Sequence, residues 1–331
     1  MSKSSGNKKS VNTGDAKVKF ASLYSKYGMF VILLVIFVAS ALISPNFIKI
    51  SNLLNILRNM SPTGLAALGM TFILILGMID LSVGSVMAFA GCVACIIARD
   101  TGLVLVAIIV AILIGGVFGV LNGFIVTKFG IPAFIMTLGT QYIARGAALL
   151  ATGAFPVSNM GDDFRILGQG YLFKVIPIPI IIMIVFMILG WVVLNRTKFG
   201  RYVFASGGNA QAARASGISV ERTVLNAFTL HGCLVGLAGA MLMSRLNSGQ
   251  PSGAQNYEFF AITAAVVGGT SLMGGMGNIL GTFIGAFIVG ILDNILLLQG
   301  VDTYWQYIIK GIVIVLAVIV DFRTKKALQR G

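Results

Sequence analysis

The sequence predicts an all-α polytopic membrane protein with about ten transmembrane segments, some of them broken or re-entrant. Hydrophobic residues make up 57% of the 331 residues and charged residues only 10%, whereas a soluble domain carries roughly 25% charged residues. Long apolar runs recur along the chain, and they are continuous rather than alternating, which disfavours a β-barrel. The 41 glycines favour close packing of membrane helices. These features exclude a soluble globular enzyme.

The net charge of +14 is concentrated in three segments that flank apolar runs. Residues 1–26 carry six Lys against one Asp, residues 196–222 carry five basic residues against one Glu, and residues 321–331 carry four basic residues against one Asp. In membrane proteins this excess of Lys and Arg is typical of cytoplasmic segments. We therefore expect residues 1–26 and 322–331 to form cytoplasmic tails and residues 196–222 a cytoplasmic loop. No basic stretch alternates with aromatic residues, so no nucleic-acid partner is predicted.

Six apolar runs precede the basic loop and four follow it. Those within residues 27–195 are 27–43, 64–79, 83–98, 103–127, 131–151 and 175–195; those within residues 223–321 are 223–243, 259–273, 279–298 and 304–320. Even numbers of spans on both sides of the loop place both termini in the cytoplasm, in agreement with the charge pattern. A further segment, residues 50–60, is interpreted as a separate short amphipathic helix that does not span.

Two of the short runs carry Gly-rich interruptions at matching places in the two halves of the chain. When the sequence is aligned with itself at a fixed offset, residues 77–81 match residues 268–272, and Gly84 matches Gly275. Interrupted apolar segments in corresponding positions of two halves are typical of transporter binding sites. Gly and Leu are common in this chain, so a true internal repeat and chance similarity both remain open.

Asp80 is the main ionisable side chain of the predicted membrane segments. A carboxylate at membrane depth costs roughly 2.5–3.5 kcal/mol unless it faces a partner or a cavity, so a functional role is the first interpretation. Asp80 and Ser82 also directly precede an apolar helix, where side-chain oxygens can cap free backbone N–H groups. Capping of a broken helix and contact with a substrate are both open.

Residue patterns typical of catalysis or metal binding are missing from the sequence. His231 is the single histidine and cannot form a metal site alone, and neither a Walker A pattern nor a G-x-S-x-G motif occurs. Cys92, Cys95 and Cys233 lie in apolar runs and are interpreted as small residues at helix contacts. We predict no catalytic residue, no cofactor and no metal.

The basic loop contains a predicted short helix at about residues 209–216. Asn209 is a suitable N-cap residue, and Gly217 is a suitable stop. An Ala-rich helix presents a smooth surface that a groove in another protein can accept. The alternative is a connector that lies on the membrane surface.

Several motifs are distributed over the chain from Ser44 onward. They are Ser44-Pro45-Asn46-Phe47, residues 52–57, residues 79–85, Thr137-Leu138-Gly139-Thr140, residues 200–218, residues 264–275 and Tyr304-Trp305-Gln306. Together they resemble the permease subunits of bacterial ABC importers of the ribose, xylose and galactoside class, with ribose permeases nearest in pattern. One departure is visible, because similar permeases often carry Tyr-Glu-Leu-Asp where this chain has Tyr257-Glu258-Phe259-Phe260.

The resemblance implies a ten-helix type of permease in the lipid bilayer of the bacterial inner membrane. It implies three kinds of protein partner: a second permease copy, two cytoplasmic ATPase domains and an external sugar-binding protein. The chain itself would not be an enzyme, because a separate subunit hydrolyses ATP. The loop helix would be the coupling helix docked in the ATPase, and the predicted contact residues are Gly207, Gly208, Asn209, Ala213, Arg214 and Gly217.

The resemblance further implies import of a monosaccharide such as ribose by alternating access, through a cavity at the subunit interface. Asp80, Ser82, Asn122 and Thr137 are the predicted lining residues of the path, with helix packing or capping as the alternative role of each. Nucleosides, branched-chain amino acids or a furanosyl signal molecule are alternative solutes. An ion-coupled secondary transporter that uses Asp80 or Asp293 is the alternative class.

Overall fold

The computed structural model describes residues 12–328, and helices dominate this part of the chain. The helices are α1 (Asn12–Ile43), α2 (Ile50–Ile75), α3 (Val83–Thr101), α4 (Val104–Phe129), α5 (Ala133–Thr152), α6 (Asp162–Gln169), α7 (Ile178–Arg196), α8 (Lys198–Gly208), α9 (Ala210–Ala215), α10 (Val220–Leu246), α11 (Tyr257–Val267), α12 (Ile279–Leu298) and α13 (Thr303–Leu328). Before α7, the short strands β1 (Tyr171–Leu172) and β2 (Ile176–Pro177) form an antiparallel hairpin. The predicted all-α class is confirmed.

Ten of these helices overlap the ten predicted apolar runs, although the runs 64–79 and 259–273 extend beyond the ends of α2 and α11. In the described part of the chain, α3, α4, α7, α10 and α12 are long and apolar enough to cross a membrane, and the shorter apolar helical stretches are Gly28–Ile43, Tyr257–Val267 and Thr303–Leu316. Helices α2 and α5 occupy the two remaining runs. The chain is therefore a polytopic membrane protein, as predicted.

The predicted separation of residues 50–60 from the next membrane run is wrong. Helix α2 continues from Ile50 to Ile75 through Pro62, and every residue from Met60 to Ile75 is buried. Proline removes one helical N–H, but membrane helices tolerate it where neighbouring groups pack around it. The Ser61 hydroxyl donates to the Leu57 carbonyl oxygen at 2.7 Å, within the turn that precedes the proline. Packing on all sides therefore keeps α2 continuous where the sequence pattern suggests a break.

The core lies where α10 packs against α2, α3 and α4. Gly115 of α4 and Gly232 of α10 face each other so closely that a Cβ on either residue would overlap the carbonyl oxygen of the other. Small residues allow membrane helices this backbone-to-backbone approach. The high glycine content of the sequence thus has a direct counterpart in the packing of α4 against α10.

The predicted tails and loop can be located only in part. Helix α1 begins at Asn12, so residues 12–26 of the predicted tail are helical. Residues 1–11 and 329–331, which belong to the two predicted tails, lie outside the described residues. The basic segment 196–222 contains α8 and α9.

Candidate functional site

Two irregular segments interrupt the bundle at the places where the sequence has its Gly-rich breaks. Residues 76–82 separate α2 from α3, and residues 268–278 separate α11 from α12. Gly77 has a φ of +73°, and Gly274 has a φ of +83°. Residues other than glycine rarely adopt this left-handed backbone conformation, which explains why glycine occurs at both positions.

The two interruptions are in contact with each other. The Gly275 N–H donates a hydrogen bond to the Ile75 carbonyl oxygen at 2.8 Å. A Cβ on Gly77 would lie 3.5 Å from the Met273 carbonyl oxygen. Backbone groups that α2 leaves unpaired at its end are therefore partly satisfied by the second interruption, as irregular backbone inside a membrane requires.

Asp80 lies in the first interruption and is buried, with 3% of its surface exposed. Its Oδ1 accepts hydrogen bonds from the Ser82 N–H at 2.7 Å and from the Ser82 hydroxyl at 2.6 Å. Its Oδ2 lies 3.5 Å from Nε2 of His231 on α10, a separation longer than a good hydrogen bond. Asp80 thus holds the backbone at Ser82, directly before α3. It does not cap the first turn itself, and the Ser82 side chain at the N-cap position accepts no hydrogen bond from α3.

Asn122 and Thr137 belong to the same buried cluster. The side-chain NH2 of Asn122 donates to the Ser82 hydroxyl at 3.4 Å. The Thr140 hydroxyl donates to the side-chain oxygen of Asn122 at 2.5 Å. The Leu81 N–H donates to the Thr137 hydroxyl at 3.0 Å. The structure therefore brings all four predicted path residues together, on α4, α5 and the segment before α3.

Part of the cluster surrounds a void of about 10 Å³ between α3, α4 and α10. That volume accommodates about one water molecule, so no sugar fits against Asp80 in this conformation. His231 faces the void, and neither of its ring nitrogens has a hydrogen-bond partner among the described residues. The sequence prediction missed His231 and Thr140. For His231 a signal existed, because an ionisable side chain within a membrane segment is expected to have a specific role.

The predicted short helix of the basic segment is confirmed. Helix α9 spans Ala210–Ala215. The side-chain oxygen of Asn209 accepts a hydrogen bond from the Ala212 N–H at 2.9 Å. Gly217 follows the helix with a φ of +81°. The sequence prediction missed α8, although Thr197 caps it by accepting from the Gly200 N–H at 3.2 Å.

The six residues predicted to contact an ATPase differ in exposure. Those on the surface of the described chain are Gly208, Asn209, Arg214 and Gly217, whereas Ala213 is buried against the bundle. Arg214 forms an ion pair with Glu221 at 2.9 Å. Gly207 is half-buried, and a Cβ at this position would overlap the Ile75 carbonyl oxygen. One end of α8 therefore lies directly against the junction of the two interruptions.

Comparison with known proteins decides the family. Residues 52–318 match the family model described as "Branched-chain amino acid transport system / permease component". The chain belongs to this permease family. The permease is thus one component of a transport system, and membership implies in general an ATPase and a substrate-binding protein as the other components.

Individual relatives of the permease match it over most of its length. The ribose import permease protein RbsC of Bacillus subtilis (strain 168) is 42% identical over 96% of this chain and 98% of the relative. RbsC of Escherichia coli (strain K12) is 43% identical over 87% of this chain and 91% of the relative. The L-arabinose transport system permease protein AraH of the same strain is 37% identical over 93% and 94%. No solved structure matches the permease.

Proposed function

We propose that the permease is the membrane subunit of an ATP-driven importer that moves a monosaccharide, with ribose as the first candidate, into the cytoplasm. The observation that carries this proposal is the similarity to ribose import permeases over nearly the whole chain. Relatives named for xylose and L-arabinose transport are 36% and 37% identical. All three sugars are aldopentoses, so the common solute class is a small, uncharged polyol with a five-carbon skeleton.

The interior of the bundle supports a neutral solute. Among the ionisable side chains within it, Asp80 accepts hydrogen bonds from Ser82, and Lys310 is paired with Asp293 at 2.9 Å. Arg145 donates to the carbonyl oxygens of Pro251 and Gly253. A charged solute or a coupling ion would need charges that are free to bind it, whereas a sugar needs only weak polar contacts.

The positive charge of the three basic segments supports a topology with both tails and residues 196–222 in the cytoplasm. With ten spans, the connections after α1, α3, α5, α10 and α12 then lie on the external side. An external sugar-binding protein would dock on these connections. The resemblance also implies that two permease copies pair within the importer.

The position of α8 and α9 supports a coupling role for the basic segment. The exposed surface around Asn209, Arg214 and Gly217 would dock in a groove of the ATPase, while the C-terminal turn of α8 contacts the two interruptions through Gly207. Movement of the docked helix would therefore reach Ile75 and Gly275 without passing through a flexible segment. Hydrolysis of ATP would take place in the separate subunit.

Asp80, Ser82, Asn122 and Thr137 remain the proposed lining of the path. Their void is closed in the present conformation, so they would meet the solute only when the start of α3 moves relative to α4 and α5. We expect such a movement when a displacement of α8 shifts the junction of the two interruptions at Gly207. In alternating access the cluster would then act as an inner gate.

A genetic experiment tests the solute class. Cells that lack the permease gene, and cells that carry it on a plasmid, are compared for uptake of radiolabelled D-ribose, D-xylose, L-arabinose and L-leucine at micromolar concentrations. The proposal predicts that D-ribose uptake is lost and restored with the gene. Restoration of L-leucine uptake alone would contradict it.

A further inference from the structure

A second cavity, distinct from the Asp80 void, lies between α2, α10, α11 and α12. Its volume is about 240 Å³, and it shares no lining residue with the void at Asp80. Most of its wall is apolar, and its polar side chains include Asn59, Arg245, Tyr257, Asp293 and Asn294. A mostly apolar cavity with a few convergent polar groups is the usual form of a small-molecule site. At about 30 Å³ of liquid volume per water, it is large enough for a small sugar.

The cavity belongs to the external half of the bundle in the proposed topology. Arg245 lies in the last turn of α10 and Asn294 in the last turns of α12, and both helices end on the external side. Asn59 on α2 is exposed at the cavity wall. A solute released by an external binding protein would therefore reach this cavity before it reached Asp80.

The polar groups of the cavity are held in place by neighbouring residues. Arg245 Nη1 donates to the Asn59 backbone and side-chain oxygens, both at 3.0 Å. Asn294 exchanges two amide hydrogen bonds of 2.9 Å with Asn52. A guanidinium carries five N–H donors, and an amide has further donor and acceptor capacity. Both groups can therefore bind a ligand without giving up these bonds.

Asp293 contributes a neutralised carboxylate. Its Oδ1 lies 2.9 Å from the Lys310 ammonium, and 41% of its side-chain surface is exposed. Lys310 also lies over the ring of Phe260 at 4.7 Å from the centroid, and Phe260 lines the cavity. A carboxylate and a guanidinium each suit a pair of neighbouring hydroxyl groups, and an aromatic ring suits the apolar C–H face of a sugar.

From this arrangement we infer that the cavity is an external, low-affinity binding site for a monosaccharide on its way through the permease. The solute class in this inference rests on the proposed function. The inference adds the place in the permease where that solute first binds. The cavity offers no free carboxylate for the ammonium group of an amino acid, because Asp293 is paired with Lys310. A monosaccharide needs only the hydroxyl contacts that Arg245, Asn294 and Asp293 can provide. The site is separate from the four residues proposed for the inner gate.

Saturation-transfer NMR on the purified permease in detergent, with D-ribose as the probe and L-leucine as the alternative probe, tests the inference directly. The variant Asp293→Asn removes the carboxylate, and Val289→Phe fills the cavity from α12. The matched controls are Asp302→Asn, outside the cavity, and Leu298→Phe, a surface position on the same helix that does not line the cavity. Each variant is first checked for a monodisperse elution profile.

We expect a D-ribose signal with the unaltered permease and with both controls. Asp293→Asn and Val289→Phe should each reduce it about tenfold, as expected for loss of a charged hydrogen bond or of the space itself. If the two cavity variants retain the full signal, or if only L-leucine gives one, the inference is overturned. If the unaltered permease gives no D-ribose signal while cells that carry it take up D-ribose, the binding site in the cavity is rejected and the proposed import function is retained. If such cells take up no D-ribose, the proposed function fails separately.

Discussion

The Gly275 N–H donates a hydrogen bond to the Ile75 carbonyl oxygen at 2.8 Å, and this bond joins the two interruptions of the membrane bundle. The C-terminal turn of α8 packs against the same carbonyl group through Gly207. A helix end, a glycine-rich loop and the basic segment thus meet at one point. Three predictions concern the packing of Gly207 at this junction, the cap of α9 at Asn209 and the hydrogen bonds of Asp80.

Gly207 should not tolerate even a methyl group. In Gly207→Ala the new Cβ would overlap the Ile75 carbonyl oxygen, and overpacking of this kind destabilises by about 1–3 kcal/mol. We expect a lower melting temperature of the purified permease and reduced ATP-driven uptake. Gly208→Ala is the matched control for the melting temperature, because in the described chain no atom of a neighbouring segment lies within 4 Å of its added Cβ. Equal melting temperatures of the two variants would contradict the close contact.

Asn209 should determine how well α9 docks. Its side chain caps the helix by accepting from the Ala212 N–H, and loss of an N-cap costs about 1 kcal/mol of helix stability. In Asn209→Ala we therefore expect less ATPase subunit to co-purify with the permease. Asn209→Asp keeps the cap and should restore co-purification, while Gln211→Ala on the same helix should have no effect. Unchanged co-purification of Asn209→Ala would argue against docking through α9.

Asp80 should be important for stability as well as for transport. Replacement by Ala leaves the Ser82 N–H and hydroxyl without their buried acceptor, and an unsatisfied buried donor costs roughly 1–3 kcal/mol. Asp80→Ala should therefore unfold at a lower temperature than Asp80→Asn, which retains an acceptor oxygen. Asp100→Asn is the control, because its ion pair with Arg99 is exposed and exposed pairs contribute about 0–1 kcal/mol. If Asp80→Ala were no less stable than Asp100→Asn, the two hydrogen bonds from Ser82 to Asp80 would not stabilise the fold.

Much of this fold could be predicted because its local signals are strong. The apolar runs predict ten helices that the described chain contains, five of them long and apolar enough to cross a membrane. Asn209 and Gly217 mark the ends of α9 through capping chemistry that depends only on neighbouring residues. The four polar residues chosen around Asp80 do form one cluster. They lie together because polar side chains in apolar runs must find partners in the same interior. Their role in the solute path stays a prediction.

The errors arose where packing between distant segments decides the structure. Continuity of α2 through Pro62 depends on burial by neighbouring helices, which no local pattern records. His231 faces Asp80 only because close contacts such as Gly115 against Gly232 set the register of α10 in the bundle. The cavity with Asn59, Arg245 and Asp293 combines residues from separate helices, so sequence spacing gives no indication of it.

Reconstituted transport tests the central claim most directly. Proteoliposomes that contain the permease and its ATPase subunit, with ATP inside and the sugar-binding protein outside, are assayed for uptake of radiolabelled D-ribose, with ionophores present to remove all ion gradients. An ATPase subunit with its Walker A lysine replaced serves as the control. We predict uptake that requires ATP, the binding protein and the intact ATPase, and that persists with ionophores. Uptake by the permease alone, driven by an ion gradient and abolished by ionophores, would contradict an ATP-driven importer.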